Sequence, residues 1–320
     1  QTPKNPSISF TLSDCTTKTS VLFKRIDKTS ENIHFDLIFD GKKNTSFRPK
    51  IVKFFSIIQE YCPYLKDYHL LISSSNSFPH SSGIASSASS MSALSLCIMS
   101  LEKKLTLIDD DYFFKKASFI SRIGSGSASR SVYGGVNFWG KHKELNNSSD
   151  LYSVKLSKNI SPKFNNYRDV ILIIDDKEKE VSSSVGHGLM NDNPFSKVRF
   201  NAANNNITKL LEILASGNLN DFCELVEGEA LMLHSLMMNS NPSYILMKPE
   251  TLEVIERIQD FRENSEIPVC FTLDAGANVH VLFPENFSKE VMIFIEKELA
   301  PLCKNGKFIT DSIGEGPKQF

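Results

Sequence analysis

An excess of charge of either sign is lacking in this 320-residue chain. Its 36 Lys and Arg residues nearly balance 37 Asp and Glu residues, for a formal net charge of -1. The lack of a basic excess argues against a nucleic-acid partner, and the lack of an acidic excess argues against a disordered acidic tail. With 41% hydrophobic and 23% charged residues, the composition is that of an ordinary folded protein. The expected partner is therefore a small molecule, and the length favours two domains.

Cysteine is sparse, and long apolar runs are missing. The six cysteines form no C-x-x-C pair and no cluster with histidine, which argues against zinc and against a disulfide framework. We expect them to be buried, reduced thiols of a cytoplasmic protein; they are Cys15, Cys62, Cys97, Cys223, Cys270 and Cys303. No apolar run reaches the roughly 18 residues of a membrane helix. No signal peptide is visible, so no membrane partner is expected.

Hydrophobic periodicity predicts strands and helices in both halves of the chain. Ile8, Phe10 and Leu12 alternate with polar residues, as in a half-buried strand. Asp109 is expected to cap a short helix that follows it. The pattern indicates the α+β class with a domain boundary near residues 160–180. Strands are predicted at 8–12, 21–23, 33–39, 68–73, 133–139, 170–174, 269–273, 279–283 and near 308, and helices at 51–61, 88–101, 195–215, 219–238, 250–261 and 286–299.

A serine-rich stretch, SSSNSFPHSSGIASSA at 73–88, lies between a predicted strand and an apolar helical run. Its composition alone is also that of a flexible linker. Its flanks favour an anion-binding loop, because the backbone N–H groups and the dipole at a helix start attract negative charge.

A second polar loop, RIGSGSASRS at 122–131, precedes a predicted strand. Small side chains between two arginines are suited to cradling an anion. The alternative is an exposed loop with ordinary turn glycines.

Three segments, in order, resemble one family: FPHSSGIASSA at 78–88, GSGSASRSVYGG at 124–135 and DAGAN at 274–278. SSSVGH at 182–187 is a looser match, as are NPSIS at 5–9 and GEGP at 314–317. Together they resemble diphosphomevalonate decarboxylase, a branch of the GHMP kinase superfamily. The resemblance implies a two-domain GHMP-kinase fold, with residues 1–168 like ribosomal protein S5 domain 2 and residues 169–320 ferredoxin-like. It also implies a homodimer.

The resemblance further implies ATP-dependent decarboxylation of mevalonate 5-diphosphate to isopentenyl diphosphate, with Mg²⁺. The ATP phosphates would be held by Pro79, Ser81, Ser82, Gly83, Ala85, Ser86 and Ser87. Ser87 would lie nearest to Mg²⁺, which the phosphates themselves mostly hold.

On the substrate side, the resemblance places Ser125, Gly126, Ser127 and Ser183 at the diphosphate. Arg130 would pair with the substrate carboxylate, since a planar guanidinium makes a bidentate match that lysine lacks.

The last two predicted site residues are Asp274 and His187. Asp274 would lie beside the reacting 3-hydroxyl as a general base or an orienting group. Taken alone, such an aspartate is more often a turn residue. His187 is expected to touch the substrate, although a lone histidine is more often structural.

Two departures from the family pattern keep alternatives open. The family usually begins with a strand of the type N-I-A-x-x-K-Y-W-G-K, whose Tyr and Lys reach the diphosphate, and we expect that segment to precede Gln1 in the whole protein. Ser184 stands where some relatives carry arginine. The alternatives are a mevalonate 3-kinase, a phosphomevalonate decarboxylase acting on the 5-monophosphate, and a non-catalytic GHMP-fold protein that binds nucleotide or isoprenoid precursor.

Overall fold

The computed structural model describes residues 2–43, 45–79, 84–156, 159–177, 188 and 193–320. Strands and helices alternate in both halves, which confirms the α+β prediction. Not one of the described helices combines the length and hydrophobicity that a membrane span requires. The six cysteines carry free thiols, and Cys62, Cys223, Cys270 and Cys303 are buried.

The first half contains a four-stranded sheet packed against three helices. The strands, in the spatial order β2-β5-β3-β4, are β2 (Thr17–Arg25), β3 (His34–Phe39), β4 (Lys42–Lys43) and β5 (Tyr68–Asn76). β3 runs parallel to β5, and the other two pairs are antiparallel. The helices are α1 (Arg48–Ile58), α2 (Ser86–Leu105) and α3 (Asp110–Gly124).

The helices of the first half form where the apolar spacing predicts them. On α1, Ile51, Phe54 and Ile58 recur at helical spacing and are all buried in the core shared with the sheet. The Asp109 side chain accepts a hydrogen bond of 2.7 Å from the Tyr112 N–H. This confirms that Asp109 caps α3, which at 15 residues is longer than the short helix expected.

A small sheet connects the two halves. It consists of β1 (Ser7–Phe10), β6 (Val136–Trp139) and β7 (Ser153–Lys155) in the order β1-β6-β7. Phe10 of β1 stacks on Phe222 with ring centroids 6.2 Å apart, and it also contacts the ring of Tyr167. The small sheet therefore packs directly on the second half.

The second half is an antiparallel sheet in the order β11-β8-β10-β9, with helices on it. Its strands are β8 (Tyr167–Leu172), β9 (Cys270–Leu273), β10 (Val279–Pro284) and β11 (Phe308–Ser312), and its helices are α4 (Ser196–Ser216), α5 (Leu219–Met238), α6 (Pro249–Ser265) and α7 (Ser288–Phe294). One sheet face packs on α6 and α7 through Val170, Val281, Val254 and Phe294. The opposite face, called here the inner face, carries Asp169, Ile171 and His280.

The predicted loop at 122–131 is wrong in its first and last parts. α3 continues to Gly124, and Gly126–Val132 forms a 3-10 helix. A Cβ added to Gly124 would lie 2.5 Å from the Met91 sulfur, so this glycine permits close packing of α3 on α2. In this segment the Ser129 hydroxyl donates a hydrogen bond of 3.0 Å to the Gly126 carbonyl oxygen. Composition indicated a loop because it does not reveal these pairings.

Two smaller differences concern residues 150–160 and the last helix. Residues 150–160, for which no strand was predicted, contain β7. The helix predicted at 286–299 is α-helical only over Ser288–Phe294, and Ile295–Leu299 continues as a π-helix before Pro301 in the 3-10 turn Ala300–Leu302.

The segment after β11 crosses the Gly134-Gly135 pair. The Gly135 N–H donates to Gly314 O at 2.9 Å, and the Gly314 N–H donates to Thr11 O at 2.7 Å. A Cβ added to Gly134 would lie 1.8 Å from the carbonyl oxygen of Glu315. A side chain at position 134 is therefore incompatible with this crossing.

We expect Gly134→Ala to lower the free energy of unfolding by about 1–3 kcal/mol, because the last segment must move away. The matched control is Gly228→Ala on α5, where an added Cβ has nothing within 4 Å. This control should raise stability by roughly 0.5–1 kcal/mol, as alanine does inside helices. Urea unfolding measures both changes, and equal values for the two variants would contradict the packing described.

Candidate functional site

The predicted phosphate-binding loop is anchored where the two halves meet. Phe78 and Ile84, at its two ends, are buried against Ile171 and Ile173 of the inner face. The loop lies between β5 and α2, as predicted. Of its predicted ligands, Pro79, Ala85, Ser86 and Ser87 are described; Ser81, Ser82 and Gly83 lie outside the described residues.

The start of α2 has the features of an anion site. Ala85, the N-cap residue, has φ 51° and ψ 39°, a left-handed conformation that is uncommon for alanine. Ala85 also has no side-chain oxygen with which to cap the helix. The helix-start dipole, whose positive end faces this turn, therefore favours an anionic ligand there.

Lys50 of α1 supplies a cation at the same turn, and no sequence pattern indicated this role. Its ammonium group donates a hydrogen bond to Ser87 Oγ. Burial lowers the pKa of Lys50 from its ordinary value. A phosphate oxygen suits this arrangement, because it accepts from an ammonium and a hydroxyl alike. A Mg²⁺ ion at Ser87 would be repelled by Lys50 and would need the phosphates to hold it.

Asn76 adds a polar group at the end of β5. Its Oδ1 accepts a hydrogen bond of 2.8 Å from Thr17 Oγ1, and the same hydroxyl contacts Ser89 Oγ on α2. Within the described part of the chain, the buried Asn76 Nδ2 has no hydrogen-bond partner. A buried amide donor without an acceptor lowers the stability of the folded protein. A bound polyphosphate would supply that acceptor.

The 3-10 helix Gly126–Val132 separates accessible from buried residues. Ser125, Ser127 and Arg130 are partly exposed, whereas Gly126 and Ser129 are buried. The Ser129 carbonyl accepts hydrogen bonds from the hydroxyls of Ser118 and Ser153. These bonds hold the buried side of the segment in place. The two predicted serines are thus held at the surface by a rigid support.

Arg130 is the most constrained cation of the site. Its Nη1 donates to Ser7 Oγ, and its guanidinium lies 6.0 Å from the centre of the Trp139 ring. Its buried Nε has no hydrogen-bond partner among the described residues. Burial lowers the pKa of Arg130 to about 10, and the carboxylate of Asp274 acts in the opposite direction. Arg130 therefore remains a cation at neutral pH and presents an unused donor.

Asp274 lies on a turn that side chains hold from three sides. Asn278 Oδ1 accepts hydrogen bonds from the N–H groups of Ile174 and Asp175, at 2.8 and 2.9 Å. Thr251 Oγ1 donates to Ala277 O at 2.8 Å, and His234 Nε2 donates to Asp274 O at 3.1 Å.

The turn presents the Asp274 side chain to solvent, close enough to Arg130 to act on it. The structure thus brings together Arg130 and Asp274, which are 144 positions apart in the sequence. His234 of α5, for which no role was predicted, is 2% exposed and bonds to the Asp274 backbone carbonyl. Ser183 and His187 lie outside the described residues, so their roles remain predictions.

Known proteins match this chain over nearly its whole length. Residues 1–151 match a family model described as the diphosphomevalonate decarboxylase-like N-terminal domain, and residues 169–318 match the mevalonate 5-diphosphate decarboxylase C-terminal domain. A diphosphomevalonate decarboxylase from Candida albicans is 25% identical over 344 residues, covering 99% of this chain and 91% of that protein.

Two solved structures share the fold. The mevalonate diphosphate decarboxylase from Staphylococcus aureus is 27% identical with a TM-score of 0.81, covering 98% of this chain and 88% of that one. The structure called MDDEF in complex with MVAPP, AMPPCP and magnesium is 24% identical with a TM-score of 0.82, covering 98% of this chain and 90% of that one. These likenesses confirm the two-domain GHMP-kinase-type fold.

Proposed function

Because this chain belongs to the diphosphomevalonate decarboxylase family, we propose that it converts mevalonate 5-diphosphate and ATP to isopentenyl diphosphate, ADP, phosphate and CO2. The observation that carries the site assignment is that Arg130 and Asp274 lie close enough to interact electrostatically. The buried Arg130 Nε, which has no hydrogen-bond partner among the described residues, is available to an anion.

In the first step, the 3-hydroxyl oxygen forms a bond to the γ-phosphorus of ATP while the bond from that phosphorus to ADP breaks. The carboxylate of Asp274 takes the hydroxyl proton or orients the hydroxyl. Phosphoryl transfer depends mainly on positioning and charge stabilisation. The start of α2, with Lys50, Ser87 and Asn76, supplies donors for the ATP phosphates.

In the second step, the bond between C3 and the phosphorylated oxygen breaks and phosphate leaves. The C1–C2 bond then breaks, its electron pair forms the C2=C3 double bond, and C1 departs as CO2. Arg130 holds the C1 carboxylate by a bidentate contact and so fixes the direction of departure. Ser125, Gly126, Ser127 and Ser183 hold the diphosphate, with His187 beside the substrate.

Mg²⁺ fits this site only through the phosphates, since Ser87 already bonds to the Lys50 ammonium. When bound, the ion neutralises charge on the transferring phosphoryl group. The MDDEF complex with AMPPCP and magnesium supports ATP and Mg²⁺ as the requirements of this chain. A homodimer in the cytoplasm is the assembly and location that we propose from the family resemblance.

We expect full-length protein with Mg²⁺-ATP to form ADP and CO2 in equal amounts from mevalonate 5-diphosphate. Mevalonate and its 5-phosphate are the parallel substrates, and all products are measured in the same tube. Equal amounts of ADP and CO2 from the 5-phosphate alone would identify mevalonate 5-phosphate as the substrate of the same decarboxylation. ADP without CO2 would make the protein a 3-hydroxyl kinase. Neither product with any substrate would favour a binding protein.

A further inference from the structure

A buried ion pair lies on the inner face behind Asp274. His280 Nδ1 of β10 is 2.9 Å and 3.0 Å from the two carboxylate oxygens of Asp169 on β8. Each side chain is 13% exposed. The reaction described above does not use this pair, and its two residues are 111 positions apart.

The strand register places His280 near the turn that carries Asp274. His280 pairs directly with Thr272 of β9, and Asp274 directly follows Leu273, the last residue of that strand. The Asp274 carboxylate is close enough to His280 to act on its charge.

Other acidic groups also face His280. Asp311 of β11 lies directly opposite Asp169. Its carboxylate accepts hydrogen bonds from the N–H groups of Ser13, Asp14 and Cys15, so backbone donors already compensate its charge. Cys15, on this turn, has its pKa raised by burial and by Asp311, and it remains a neutral thiol. Asp169 and Asp274 are thus the carboxylates on which the charge of His280 chiefly acts.

Burial by itself lowers the pKa of His280, but the carboxylates of Asp169, Asp274 and Asp311 outweigh it, so the pKa is raised above the ordinary value. His280 is therefore protonated over a wider pH range than a free histidine. The pair's contribution to the free energy of unfolding is fully present below a pH of about 6.5, the ordinary histidine value. It is lost as the pH rises through the raised value.

We infer that His280 is a positioning residue, which Asp169 holds as a cation so that it orients the Asp274 carboxylate toward the reacting hydroxyl. This inference rests on the proposed function. ATP and the diphosphate substrate bring several negative charges to the site, and like charges repel the carboxylate. A cation behind Asp274 opposes that repulsion. Above the pH at which His280 loses its proton, the support disappears and turnover falls.

The first test is the pH profile of CO2 release in His280→Gln and in the double variant Asp169→Val/His280→Val. The double variant replaces the whole pair with strand-favouring apolar residues, a change that is often neutral for stability, so it serves if the single variant folds poorly. We expect kcat to fall about tenfold at neutral pH, within the range for coupled neighbours. We also expect an unchanged KM for ATP. The decline of kcat at alkaline pH that deprotonation of His280 causes in the wild type should be absent from the variants.

The matched control is His69→Gln. His69 also pairs with an aspartate, Asp36, at 3.0 Å, but on β3 and β5 with side chains 35% and 48% exposed. Its kcat and pH profile should equal those of the wild type. If the double variant also retains the wild-type kcat and profile, the pair is only structural and the inference is overturned, whereas the proposed function stands.

The second test does not depend on turnover. The pH titration of the His280 Cε1–H signal is followed by NMR in the wild type and in Asp274→Asn. The signal is assigned by its loss in His280→Gln. Removing the carboxylate should lower the titration midpoint of His280, because the imidazolium loses a favourable neighbour. An unchanged midpoint would refute the coupling even in an active enzyme. If the midpoint shifts between the two proteins but the wild type releases no CO2, the coupling stands and the proposed function is refuted.

Discussion

Asp274→Asn should reduce kcat for CO2 release by about 10²–10⁴-fold, the usual contribution of a positioned proton acceptor. Asparagine retains the shape of the side chain and the backbone contacts of the turn, including the bond from His234 Nε2 to the residue 274 carbonyl. It removes only the proton-accepting carboxylate. The loss should therefore appear in kcat, with little change in KM for either reactant.

Stability should be almost unaffected, within about 0.5 kcal/mol, because the Asp274 side chain is exposed. Asp260→Asn is the matched control, an exposed aspartate on α6 outside the site, and it should have wild-type kinetics. Calorimetric titration of Asp274→Asn with mevalonate 5-diphosphate separates the enzyme from a binding protein. A binding protein would show retained affinity and no turnover in either form. An unchanged kcat in Asp274→Asn would remove Asp274 from the mechanism.

Arg130→Lys should lower kcat/KM for mevalonate 5-diphosphate by about 30-fold or more. Truncating one partner of a buried hydrogen-bonded charge pair costs about 2–5 kcal/mol, and we expect a loss near the lower end of that range because the charge is kept. Each 1.36 kcal/mol corresponds to a tenfold change in rate. Lysine keeps the charge, but it cannot reproduce the fork that contacts Ser7 and, in our proposal, the substrate carboxylate.

The ratio of products gives a sharper test of the role of Arg130. If Arg130 holds the C1 carboxylate for departure, the variant should phosphorylate the 3-hydroxyl more often than it releases CO2. ADP should then exceed CO2, whereas the wild type forms equal amounts. Arg168→Lys is the control, since Arg168 forms a partly exposed pair with Glu285 and such pairs contribute little. Equal ADP and CO2 at the wild-type rate in Arg130→Lys would contradict the carboxylate assignment.

Local patterns predicted most elements because each pattern reflects burial of one face. The helix predicted at 219–238 has the same bounds in the structure, and the strand predicted at 21–23 lies within β2, where Val21 and Phe23 are half-buried. The segment at 122–131 was predicted less well. Its glycines and serines are small enough to pack closely and to bond to carbonyls, so a composition typical of loops forms the end of α3 and a 3-10 helix.

The sequence by itself determined the α+β class, the strand–loop–helix order around the phosphate loop, and the segments that contain Arg130 and Asp274. These features are local, because they depend on the spacing of neighbouring residues. The tertiary structure alone decided which charges meet. Lys50 reaches Ser87 from a different helix, Ser7 of β1 reaches Arg130 on the 3-10 helix, and His280 meets Asp169 across a strand pair. Such contacts depend on strand register and helix packing, which bring together residues far apart in the chain, and no local periodicity encodes them.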